Sequence, residues 1–134
     1  MSVTATWIEN HRSVLDNGRN DSVVVDLPED NGGDDLGCSA LELTNMSLAG
    51  CISTIYSVVS RKMRLDIDGL RVEVEAPKSE ETGTIENARI ELKIESDESE
   101  EKLRKCLEQT LKTCPVGKLY EKAGVEITTD LNII

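Results

Sequence analysis

Four cysteines, Cys38, Cys51, Cys106 and Cys114, and one histidine, His11, are the side chains best suited to chemistry in this 134-residue chain. The cysteines stand 13, 55 and 8 residues apart, and no C-x-x-C occurs. A structural zinc site therefore finds no support, and a general dithiol oxidoreductase lacks its usual motif. Met1 is followed by Ser-Val-Thr-Ala-Thr rather than by basic residues and an apolar run, so no secretory leader is expected. The predicted compartment is the cytoplasm, where a structural disulfide framework is not expected. Thiol chemistry and burial in a core remain as uses for the cysteines.

The elements that must position these thiols follow from periodicity. Val3, Ala5 and Trp7 alternate with Thr4, Thr6 and Ile8, a strand pattern, and Asn17-Gly18 predicts a hairpin-like break. Ser22 to Leu27 is a further strand, ended by Pro28 and the polar loop through Asp35. From Ser39 to about Arg61 the chain carries Leu41, Leu43, Met46, Leu48, Ala49, Ile52, Ile55, Val58 and Val59 with almost no charge, which predicts a helix buried on most sides. Ser39-Ala40-Leu41-Glu42 has the form of a capping box and sets its start. Cys51 lies on this helix beside Gly50, which is expected to let another backbone come close. Leu70 to Ala76 and Thr84 to Glu95 alternate as antiparallel strands with one wet face. Leu103, Cys106, Leu107, Thr110, Leu111 and Cys114 fall at helical spacing behind an acidic start. Pro115 ends that helix and opens a short one through Tyr120 to Gly124, before a short final strand around Val125, Ile127 and Thr129. The order βββ, α, ββ, α, short α, β predicts an α+β fold in a single domain, 1–134.

Composition narrows the functions. Fifteen basic against 26 acidic residues give a formal charge of −11, which repels nucleic acid phosphates and anionic membrane surfaces. No apolar stretch approaches the roughly 20 residues of a membrane span. One Trp, two Tyr and no Phe leave aliphatic residues to fill the core, and so short a chain buries only a modest one, which invites a second subunit.

Three segments together resemble the OsmC/Ohr family of organic hydroperoxide reductases: Ser39-Ala40-Leu41-Glu42-Leu43 leading to Leu48-Ala49-Gly50-Cys51, the run Met63 to Val74, and Thr113-Cys114-Pro115-Val116. They cover nearly the whole chain in the family's order. The resemblance implies an OsmC-like intertwined homodimer whose long central helices are wrapped by sheets, with active sites at the subunit interface. It implies a peroxidase in which Cys51 attacks the hydroperoxide and Cys114 resolves the product as a disulfide. It implies no metal or organic cofactor, only an external dithiol reductant such as dihydrolipoamide. It also assigns Arg12 as the cation beside the Cys51 thiolate and Glu42, earlier on the helix, as the carboxylate orienting Arg12.

Plainer roles compete with each assignment. Cys51 suits a core position, Cys114 completes the stripe through Leu103, Leu107 and Leu111, and Cys106 lies squarely on that stripe. Cys38 reads as a spare loop thiol, His11 as a surface residue, and Arg12 as a solvated strand residue. Glu42 has full employment in its capping box. Tyr120 and Met46 serve either as core or as lining for an alkyl group. The residues favour Cys114 as the readier thiolate, since the helix after it presents free N–H groups, whereas Cys51 on its apolar helix needs a cation. The alternative function is a non-catalytic member of the same fold that binds a small apolar or thiol-reactive ligand at the dimer interface.

Overall fold

The structure is a computed structural model that describes residues 1–134, which form two compact units, Met1–Thr44 and Asn45–Ile134. The first holds a three-stranded antiparallel sheet of β1 (Thr4–Glu9), β2 (Arg12–Asp16) and β3 (Ser22–Val25). Two turns build it where the sequence signals only one. Asn10 takes a left-handed φ of 48° between β1 and β2, and the Trp7 indole N–H donates to its carbonyl at 2.9 Å. Asn17 opens the second turn, its side-chain oxygen accepting the N–H groups of Arg19, Asn20 and Asp21.

Beyond β3 the chain makes a close-packed loop. Asp26, only 2% exposed, accepts the N–H groups of Leu27 and Leu36 and so closes the loop at both ends. These bonds hold its carboxyl below the usual range against the opposing cost of burial. A Cβ on Gly33 would lie 1.9 Å from the Leu27 carbonyl oxygen, and one on Gly37 2.4 Å from that of Val24, so neither position admits a side chain.

Helix α1 (Ala40–Lys62) starts at the predicted capping box: Glu42 accepts the Ser39 N–H at 2.7 Å, and the Ser39 hydroxyl oxygen accepts the Glu42 N–H at 3.1 Å. It is not buried on most sides. One stripe at i, i+4 spacing, Leu48, Ile52, Tyr56 and Ser60, is buried, while Met46 and Val58 are open to solvent. Apart from the helix's own adjoining backbone, nothing comes within 4 Å of a Cβ built on Gly50, so the expected close approach is not made within one chain.

The second unit builds its own core. Strands β4 (Gly69–Glu75) and β5 (Asn87–Glu95) are antiparallel as predicted, with Ala88, Ile90, Leu92 and Ile94 pointing inward. β6 (Glu126–Ile133) runs parallel to β5 and is longer than its sequence alternation predicts, because the ladder from Asn87–Glu126 to Ile94–Ile133 supplies main-chain partners throughout. A parallel neighbour needs a long crossover, which α2 (Glu100–Thr113) and α3 (Pro115–Lys122) provide. Ser99 caps α2, and Leu103, Cys106, Leu107 and Thr110 form its buried stripe. The Tyr56 hydroxyl donates to the Leu103 carbonyl at 3.1 Å, fastening α1 to α2. No helix is long and apolar enough to cross a membrane.

Candidate active site

Cys114 occupies a junction. It is the last capping residue of α2 and the first of α3, with extended backbone (φ −68°, ψ 110°). Pro115 dictates this: its ring disfavours helical backbone at the preceding residue, and its missing N–H costs nothing in a first turn. The Cys114 N–H still donates to Thr110, while its sulfur accepts the Gly117 N–H at 3.4 Å. From α1, Cys51 meets it with Sγ to Sγ at 2.9 Å, and both are free thiols.

The two sulfurs differ in surroundings. Cys114 is fully buried, whereas Cys51 is partly exposed. Burial first, and the neighbouring Cys51 second, push the Cys114 thiol up to about 11, against the lowering effect of the Gly117 and Val116 N–H groups. This reverses the sequence expectation that the start of α3 makes Cys114 the readier thiolate. Desolvation outweighs two N–H groups. At neutral pH Cys114 keeps its proton, and its S–H donates a hydrogen bond to Cys51, the sulfur that solvent reaches.

The other candidates lie as follows. Arg12, in the first unit, forms ion pairs with Glu9 and with Asp34, the latter at 3.5 Å. Glu42 is engaged in its capping box and makes no ion pair with Arg12. Cys106 is wholly buried, with its sulfur 3.8 Å from the Tyr56 carbonyl and its thiol pushed up by burial, which fits a core role. Cys38 is half-buried, its carbonyl accepting the Asp26 N–H at 3.0 Å. His11 is exposed, and Met46 is 58% exposed. Tyr120 is buried, and its hydroxyl donates to the Asn45 side-chain oxygen at 2.7 Å. No cluster of three or more His, Cys, Asp or Glu side chains is arranged to hold a metal.

Sequence reasoning passed over Asn45 and Gly117. Their signals were slight: an amide within an otherwise apolar helix, and a glycine two residues after Cys-Pro, where an N–H must come close to a large sulfur.

The OsmC-like protein family matches residues 32–130 of the chain. Among solved structures, the OsmC-like protein of Mycoplasma pneumoniae superposes with a TM-score of 0.89 at 16% identity, over 99% of this chain and 96% of that one. A proposed osmotic-stress-induced and detoxification-response protein of Psychrobacter arcticus has a TM-score of 0.80 at 26% identity, over 100% and 96%. An organic hydroperoxide resistance protein of Legionella pneumophila has a TM-score of 0.75 at 12% identity, over 98% and 97%. No curated protein matches the chain.

Proposed function

The chain belongs to the OsmC-like family, and on that premise we propose that it is a cysteine-based peroxidase reducing organic hydroperoxides to alcohols. The observation that carries the reading is the 2.9 Å approach of two free thiols 63 positions apart, one reachable from solvent and one buried. Solved proteins of the same fold that carry the name organic hydroperoxide resistance protein add to it.

The Cys51 thiolate attacks an oxygen of the hydroperoxide; the O–O bond breaks, and the alkoxide takes a proton to leave as the alcohol. Cys51 is left as a sulfenic acid. The Cys114 sulfur displaces its oxygen, forming the disulfide and releasing water. A small dithiol of the dihydrolipoamide type restores both thiols by exchange. The cycle uses no metal or organic cofactor.

Arg12, on the family resemblance, is the cation that favours the Cys51 thiolate, with Glu42 as its orienting carboxylate; the first needs release from Glu9 and Asp34, the second from its cap. The working form is a cytoplasmic homodimer, a reading supported by the apolar residues that α1 leaves open, Met46 and Val58.

The test follows loss of an alkyl hydroperoxide and of H₂O₂ with dihydrolipoamide, thioredoxin or glutathione as reductant. Wild type is expected to turn over with the dithiol, Cys51→Ser to be inert, and Cys114→Ser to stop after one oxidation. Turnover by purified Cys51→Ser overturns the proposal. Absence of peroxide consumption by wild type with every reductant favours the ligand-binding alternative.

A further inference from the structure

Helices α1 and α3 meet at two places. At one the Cys51 and Cys114 sulfurs lie 2.9 Å apart; at the other the Tyr120 hydroxyl donates to Asn45 at 2.7 Å. The two points are six residues apart on each helix and in opposite order, so the segments run antiparallel with matched spans of about 9 Å. Asn45 is itself held, since its amide donates to the Ala76 carbonyl at 3.0 Å, directly after β4.

α3 has eight residues, too few to hold its place unaided. Its buried residues are Gly117 and Tyr120, so Tyr120 supplies its one buried side chain, while Leu119 is 64% exposed. The hydroxyl of that side chain therefore fixes the far end of α3, while Cys114 stands at the near end. Closing the sulfur gap to the roughly 2.0 Å of a covalent bond needs a tilt of only about 6° over such an arm.

We propose that Tyr120 and Asn45 are positioning residues for the dithiol: their hydrogen bond holds α3 against α1 and so sets how readily Cys114 closes on Cys51. This deepens the peroxidase reading and rests on it for the kinetic consequence, in which Cys114 attacks the Cys51 sulfenic acid, the S–O bond breaks as the S–S bond forms, and water leaves. The equilibrium consequence concerns the two thiols alone.

The full-length protein is equilibrated in glutathione redox buffers, and the fraction of Cys51–Cys114 disulfide is read by alkylation and peptide mapping. Tyr120→Phe keeps the ring and removes the hydroxyl; it is expected to lower the effective concentration of the pair about tenfold, ~30 mV less reducing. Asn45→Ala, which also loses the bond to Ala76, should lower it at least as far, and adding Tyr120→Phe to it should lower it no further, because both remove the one bond between α3 and α1. Tyr56→Phe, which loses a buried hydroxyl joining α1 to α2 instead, should stay within twofold of wild type. After one equivalent of alkyl hydroperoxide, the Cys51 sulfenic acid of Tyr120→Phe, trapped by dimedone, should persist about tenfold longer, with the initial peroxide loss unchanged. A wild-type effective concentration in folded Tyr120→Phe and Asn45→Ala overturns the inference. Equal shifts in the two tyrosine variants overturn it as well, by showing a loss of general stability. If wild type consumes no hydroperoxide while Tyr120→Phe still lowers the effective concentration, the peroxidase reading fails and the positioning role stands.

Discussion

The two sheets of this chain are of equal strand number and opposite character. In β1–β2–β3 no strand residue is fully buried, and Trp7 and Ile8 stand 68% and 49% exposed. In β4–β5–β6 an entire face of β5 is closed, Leu92 among it at 0%. The difference separates two kinds of order. The second unit owes its form to apolar burial and holds both thiols within it; the first is held by turns, ion pairs and the carboxylate of Asp26.

Four measurements press on this contrast. The largest effect is expected in the second sheet: Leu92→Ala should lower stability by about 3 kcal/mol in urea denaturation, whereas Ile8→Ala in the first should lower it by less than about 1 kcal/mol. Comparable losses would erase the distinction. Arg12→Ala is next. If Arg12 serves Cys51 as proposed, the variant should slow the reaction of Cys51 with hydroperoxide at least roughly tenfold, since a cation beside a thiolate is worth about one to three pKa units. An unchanged rate would leave the second unit self-sufficient in its chemistry. The third effect is on pH. Cys114 has its thiol raised, so below about 11 its reactive thiolate is the minority form and grows as pH rises. Disulfide closure, followed by loss of dimedone-reactive sulfenic acid, should therefore accelerate about tenfold per pH unit between 7 and 9. A flat profile would mean that Cys114 is ionised already. The smallest concerns the cap: Ser39→Ala should cost about 1 kcal/mol of stability and leave peroxide reduction within twofold, if Glu42 serves α1 alone.

The fold was legible where a local rule and the tertiary result coincide. Ser39 and Glu42 announced the start of α1, alternation through Ile90, Leu92 and Ile94 announced β5, and Cys114-Pro115 announced the break between α2 and α3. Legibility failed where the outcome depends on distant partners. The turn at Asn10 rests on a left-handed φ in a residue other than glycine, the burial of α1 depends on how much covers it, and the raised Cys114 thiol depends on what surrounds it. The Tyr120–Asn45 bond joins residues 75 positions apart, with no pattern at either end to declare it.

The loop between β3 and α1 carries a lesson for protein engineering. Written out, Pro28 to Gly37 looks like a spacer, with its glycines, aspartates and asparagine. Yet Asp26 fastens both its ends, and Gly33 and Gly37 are pressed against main-chain carbonyls. An affinity tag or fluorescent probe belongs elsewhere, at the exposed turn residues Glu81 and Thr82. Of the two polar stretches that look interchangeable on paper, one is a clasp and the other an exposed turn.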